Sequence, residues 1–163
     1  MTMENVNTGS LRTGTKFFGQ VAYEPQDVLH FAKGLFAFEE ERDFLLLPFA
    51  DSDGVLLCLQ SLQTEGLAFM VINPFLISAA YEPKLSEEEL SELGVNESGE
   101  LSFYILCAVK QPVGESTLNL KCPVAINVDT KAAMQVILEG DRYSMRERLA
   151  DFGKPGERGE EQC

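Results

Sequence analysis

The sequence predicts a mainly β fold: a single-domain, antiparallel β-barrel-like structure with one short docked helix at about residues 86–94. Three observations carry this reading. Short β-branched and aromatic runs are separated by turn residues at the spacing of a barrel or sandwich. Several runs alternate apolar and polar residues with period two. One segment alone carries helix-start and helix-stop signals in register. The 163 residues fit one domain, and a domain of that size buries roughly two thirds of its unfolded surface, so it needs no metal or disulfide to hold its core.

Met1 to Gly14 is polar and glycine-containing, and reads as a flexible N-terminal segment before a barrel domain over 15–148. Strands are expected at Lys16–Tyr23, Asp27–Phe31, Asp43–Phe49, Val55–Leu62, Leu67–Asn73, Leu101–Lys110, Thr117–Cys122, Val124–Val128 and Met134–Leu138. In T-L-N-L-K-C, Leu118, Leu120 and Cys122 share one face, and Val124, Ile126 and Val128 repeat the pattern. Pro123 between them has no ladder donor and should bend or bulge the sheet. The helix lies in K-L-S-E-E-E-L-S-E-L-G: Ser86 as N-cap, Glu89 completing a capping box, Leu85 stapling onto Leu90 and Gly94 as the left-handed stop. Leu90 and Leu93 form its whole apolar stripe, enough to dock two turns. The closing stretch from 149 to 163 is again polar and reads as a flexible tail.

The stretch H-F-A-K-G-L-F-A-F-E-E, His30 to Glu40, holds the only histidine. A general base needs a second positioned group, and no serine or cysteine nucleophile stands in a recognisable turn. A phosphate cradle needs more glycines than Gly34 and a helix with an early lysine. The stretch therefore reads as a strand, a glycine turn, then aromatic residues plugging a core.

Composition narrows the partners. Twenty-six acids against thirteen bases give a net charge of −13, which repels nucleic acid and anionic membranes and attracts basic proteins. Much of the excess lies in two runs, Glu39 to Asp53 and Glu82 to Glu100. Each reads either as a solvated face or as a patch for a basic partner. Glu39-Glu40-Glu41 lacks the spacing of a calcium loop, and Glu87, Glu88 and Glu89 suit the positive end of a helix dipole. Cys58, Cys107, Cys122 and Cys163 form no C-x-x-C pair and read as reduced thiols. Neither a signal-peptide core nor a membrane-length apolar run is present, so a cytoplasmic protein is expected. In L-A-F-M-V-I-N-P-F-L-I, Leu67 to Ile77, Pro74 ends the strand and leaves Phe75, Leu76 and Ile77 in a connection, as core or as an exposed apolar patch.

Taken in order, G-x-V, D-V-L-H-F-A-K-G-L-F-A-F-E, F-L-L-L-P, L-Q-S, A-F-M-V-I-N-P-F, Y-E-P with an acidic helix, L-N-L-K-C-P-V-A-I-N and Q-V-I-L-E resemble the flagellar assembly factor FliW family from about Phe18 to Arg146. The chain departs from the family where Ala32 replaces a common proline, Ala37 a common glycine, and Cys122 a frequent alanine. The resemblance implies a cytoplasmic, non-enzymatic barrel without cofactor or metal, and with two alternative protein partners. One is flagellin. The other is CsrA, a small dimeric RNA-binding protein that represses flagellin translation and that this family holds off the message until flagellin accumulates.

Within that reading Glu39, Glu40, Glu41 and Asp43 are expected to steer the basic partner, and Phe75 with Ile77 to supply an apolar contact. Asn73, Asn127 and Gln135 sit at family motif positions, as partner contacts or as hydrogen-bonding turn and barrel residues. Two other readings compete: a small-molecule-binding or catalytic β-barrel, which needs a pocket with converging polar groups, and a generic acidic mimic of nucleic acid.

Overall fold

The computed structural model describes residues 11–50 and 52–152. Residues 1–10, Asp51 and residues 153–163, with Cys163 and most of the expected terminal segments, lie outside the described residues. Twelve elements follow in chain order: β1 (Leu11–Thr15), β2 (Gly19–Tyr23), β3 (Leu29–Phe31), β4 (Asp43–Pro48), β5 (Leu56–Ser61), β6 (Ala68–Ile72), α1 (Glu87–Leu93), β7 (Ser102–Ala108), β8 (Thr117–Leu118), β9 (Val124–Ile126), β10 (Ala132–Gln135) and β11 (Glu147–Arg148).

The β-branched and aromatic runs pair in the order β7-β6-β5-β4-β3-β10-β9, and a further seam between β9 and the start of β7 closes the seven into a barrel. Closure leaves these strands without the open edges that invite aggregation. The expected mainly β barrel with one short helix is thus what the chain forms, with one difference: β10 runs parallel to β3, pairing Ala132 with His30 and Ala133 with Phe31. These two strands are far apart in sequence, so no hairpin forces them antiparallel. β8 continues the far half of β7 and carries β11 on its outer edge.

Two cores follow from alternation. Leu29, Phe31, Phe44, Leu57, Leu59, Val71, Val124 and Ile126 fill the barrel interior, with the Phe31 and Phe44 rings edge to face at 5.2 Å. Their sequence neighbours Ile72, Phe103, Ile105 and Ala125 point the other way into a second core. That core is covered by Tyr81, Leu85 and Leu93 around α1, by Val136 and Leu138, and by Phe152. A strand buried on both faces reads as a continuous apolar run, which is why β9 is buried throughout rather than on one face.

Several boundaries differ from expectation. Residues 11–14, assigned to the flexible segment, form most of β1 and pair with β2 from Leu11↔Tyr23 to Thr15↔Gly19. Leu149 and Phe152, assigned to the flexible tail, pack against the outer core. Only Thr117 and Leu118 of the run to Cys122 pair as a strand, although Leu118, Leu120 and Cys122 share a buried face as the alternation requires. Pro123 breaks the run. Val128 is 50% exposed, because the chain leaves β9 at Asn127 and turns into β10.

The turn after β3 combines two left-handed residues, Gly34 (φ 66°) and Ala37 (φ 72°). A β-carbon on Gly34 would stand 2.5 Å from the Glu39 carbonyl oxygen, so only glycine fits. Ala37 occupies the other left-handed position against its preference. Gly34→Ala is expected to cost at least about 2 kcal/mol. Ala37→Gly should gain roughly 0.5 kcal/mol, the relief of left-handed strain exceeding the added unfolded-state entropy. Urea denaturation of the two variants beside the parent checks both signs.

Candidate functional site

Reactive chemistry finds little support in the side chains. His30 sits on β3 with 62% of its side chain exposed and its Nδ1 2.9 Å from Asp43 Oδ1. Cys58, Cys107 and Cys122 are free, and burial pushes all three thiols up, Cys58 to about 11. A thiol held protonated is a poor nucleophile. Tyr81 donates its hydroxyl to the Leu120 carbonyl at 2.6 Å, and burial, followed by Tyr143 and Cys122, pushes its phenol upward. Among the described residues no group of three His, Cys, Asp or Glu side chains is placed to hold a metal ion. Among the described residues no helix is long and apolar enough to cross a membrane.

The acidic loop between β3 and β4 is built from backbone hydrogen bonds to side-chain amides. Gln135 on β10 accepts the Phe36 amide at 3.0 Å and donates to the Cys122 carbonyl at 3.2 Å. At the far end, Gln63 donates to the Glu40 carbonyl at 3.0 Å and accepts the Arg42 amide at 2.7 Å. The carboxylates between these anchors are not equivalent. Glu39 and Glu40 are exposed, Glu39 accepting only the Ala37 amide of its own turn at 3.2 Å. Glu41 instead accepts from Ser61 Oγ at 2.5 Å and Thr64 Oγ1 at 2.8 Å, which ties the loop to the β5–β6 connection. Asp43 is half-occupied by His30. The aromatic residues after the glycine turn, expected to plug the core, do not: Phe36 and Phe38 are exposed, Phe38 lying edge to face on Phe69 at 5.2 Å. Leu35 plugs the core in their place.

The acidic helix has the caps its sequence announced: Ser86 Oγ accepts the Glu89 amide at 3.1 Å, Glu89 accepts the Ser86 amide at 2.9 Å, and Gly94 ends it at φ 76°. Asn127 fixes its other end. Its Nδ2 donates to the Leu93 carbonyl at 2.8 Å, while its Oδ1 accepts the Asp129 and Thr130 amides at 3.0 and 3.3 Å. An ion pair from Lys33 to Glu92, 3.0 Å, joins the loop that holds Glu39 to Glu41 to the helix that presents Glu87 to Glu89. The loop and the acidic helix thus meet at this pair.

A separate apolar feature follows β6. Asn73 caps the turn Pro74–Leu76 by accepting the Phe75 amide at 3.1 Å. Phe75 is 39% and Leu76 56% exposed, whereas Ile77 packs against the outer core. Of the pair expected to make an apolar contact, Phe75 is exposed and Ile77 is partly buried, and Leu76 is exposed beside Phe75. Sequence reasoning also missed Gln60, fully buried on β5, whose Oε1 accepts the Lys16 amide at 2.9 Å and whose Nε2 donates to the Ser61, Glu65 and Leu67 carbonyls. A lone amide inside L-L-C-L-Q-S was the available signal.

What fold and surface define together is a closed seven-strand barrel that displays an acidic loop, an acidic helix and an exposed apolar turn. The model of the FliW protein family matches residues 12–149, and the chain belongs to that family. It is 34% identical over 142 residues to the flagellar assembly factor FliW of Shouchella clausii, covering 87% of this chain and 97% of that protein. With the flagellar assembly factor FliW of a Geobacillus species it shares 32% over 139 residues, covering 85% and 95%. The crystal structure of the flagellar assembly factor FliW superposes with a TM-score of 0.79 at 31% identity, covering 85% of this chain and 96% of that one.

Removing the Asn127 amide leaves the Leu93 carbonyl and two turn amides without their partners. Asn127→Ala is expected to lower stability by about 1–3 kcal/mol. Amide exchange of residues 87–94 should accelerate more than that of β4 and β5, a pattern uniform loss of stability does not produce.

Proposed function

We propose that this chain is a cytoplasmic flagellar assembly factor that works by binding proteins: it holds the RNA-binding repressor CsrA away from the flagellin message, and releases it when flagellin takes its place. Membership in the family supports the assembly role. The observation that carries the CsrA part is the joined acidic surface formed by the β3–β4 loop and α1, presented by a chain of net charge −13. A protein that holds RNA phosphates must be basic at its binding surface, so this surface attracts it and, once bound, opposes RNA through like charge. Glu39 and Glu40 are the steering groups, with Asp43 beside them. Glu41 serves the loop's shape instead. Phe75 and Leu76 supply the apolar contact, because charge speeds encounter but buried anchors hold a complex. Asn73, Asn127 and Gln135 act as positioning residues for these elements.

Exchange of partners then follows from mass action: if the two cannot be bound together, each flagellin captured leaves one binder fewer for CsrA.

The double reversal Glu39→Lys with Glu40→Lys is expected to slow CsrA association by at least roughly tenfold at low salt, with the difference shrinking as salt screens it. Its urea midpoint should stay at the parent's value, whereas Glu41→Lys should lower stability by about 1–3 kcal/mol. Stopped-flow mixing with purified CsrA reads the rates, and unchanged association at low salt removes the acidic surface from the account. Adding flagellin to the preformed complex should release CsrA in proportion. Retention of CsrA at saturating flagellin rejects the exchange.

A further inference from the structure

The acidic surface has a counterpart of opposite sign. A groove of about 500 Å³ runs outside β6, β7 and β8, bounded by the β1–β2 turn on one side and by the segment before β11 on the other. Its charged lining residues are Lys16, Lys110 and Arg146, with no aspartate or glutamate among the rest, in a chain whose acids outnumber its bases two to one. Phe17, Met70 and Met145 line it as well, and Phe17 and Met145 are about half exposed.

Of the other described cations six are engaged, and Arg12 and Lys84 stand singly away from the groove, so what distinguishes this site is three unpaired cations on one lining. Lys33, Arg142 and Arg148 are in ion pairs. Arg42, Lys121 and Lys131 donate to backbone carbonyls. Among the described residues no carboxylate lies within 4.0 Å of Lys16, Lys110 or Arg146, and the nearest use of any of the three is Lys16 over its neighbour's Phe17 ring at 5.4 Å. Three exposed cations gathered around exposed aromatic and thioether groups, all free to contact a ligand, are complementary to an anionic chain with apolar side chains.

We propose that this groove binds an acidic peptide segment of a partner protein, its carboxylates on Lys16, Lys110 and Arg146 and its apolar side chains against Phe17, Met70 and Met145. The chain's net charge does not forbid this, since at physiological salt the Debye length is about 8 Å and distant acids are screened while the cations act at contact. A nucleic acid is the poorer fit. Three cations release few counterions, a polyanion gains little from methionine, and its charge extends past the groove into the acidic surroundings. The groove shares none of the residues assigned to CsrA, although its lining residue Phe69 touches Phe38 of the acidic loop, and the proposal stands or falls independently of that one.

Fluorescence anisotropy with a labelled dodecapeptide alternating glutamate and leucine tests the proposal, using the full chain. The peptide is expected to bind, and the triple reversal Lys16→Glu, Lys110→Glu, Arg146→Glu to weaken it at least tenfold while the unfolding midpoint stays unchanged. Met145→Ser should weaken it severalfold without altering its salt dependence. A lysine–leucine dodecapeptide and a single-stranded DNA dodecamer should bind at least tenfold more weakly. Absence of binding by the acidic peptide, indifference to the triple reversal, or equal binding of the DNA overturns the proposal. The Glu39→Lys, Glu40→Lys variant should bind the peptide as the parent does.

Discussion

The acidic loop, the acidic helix and the turn that presents Phe75 are each held by a side-chain amide bonded to backbone. A closed barrel satisfies its own strands, but where the chain leaves the barrel its amides and carbonyls lose their ladder partners and must find others. Gln135 and Gln63 take the two ends of the acidic loop, Asn127 the end of the acidic helix, Asn73 the turn that presents Phe75, and Gln60 the end of β1. Amides suit this task because each carries both a donor and an acceptor and adds no charge to be desolvated. Among the described residues no buried side-chain nitrogen or oxygen is left without a partner. The outcome is a set of surface elements fixed to a rigid frame, which limits the entropy a binding partner must remove.

The doubled core explains how so small a barrel carries so much on its outside. β6, β7 and β9 bury one row of side chains in the barrel and the alternate row beneath α1 and the segments around Tyr81, Leu138 and Phe152. The outer core thereby anchors the helix that completes the acidic surface. Phe75, whose ring lies 6.2 Å from Phe103 and 6.0 Å from Tyr81, extends the same core to solvent. Charge is then unevenly distributed: acids are concentrated on the loop and helix, and three unpaired cations line one groove. A protein that trades partners gains from such separation, since each surface repels the wrong partner as it attracts the right one.

Local chemistry was legible in the sequence and distant chemistry was not. Ser86, Glu89 and Gly94 announce the helix because its caps lie within a few residues of one another. β4 to β7 were legible because their runs are long and apolar. β11 went unseen because two residues carry no periodicity, and β1 because glycine and threonine in L-R-T-G-T weaken the strand signal. The parallel seam between β3 and β10 depends on residues about a hundred positions apart. The same limit governs the site. Glu39, Glu40 and Glu41 are identical in sequence terms, and only Ser61 and Thr64, brought near by folding, single out Glu41 as the one that ties the loop to another connection. Asn127 and Gln135 were legible as motif amides, but their partners Leu93 and Phe36 were not. The groove gathers cations from three distant segments and left no trace in any one of them.

The central claim is that this chain acts by presenting amide-anchored surface elements to other proteins. Hydrogen exchange measured by mass spectrometry on the chain alone and in complex with purified CsrA tests it most directly. Protection on binding should fall on residues 36–43 and 87–94 and on the turn at 73–77, with β4 and β5 unchanged. Protection confined to other regions, or none at saturating CsrA, contradicts the account.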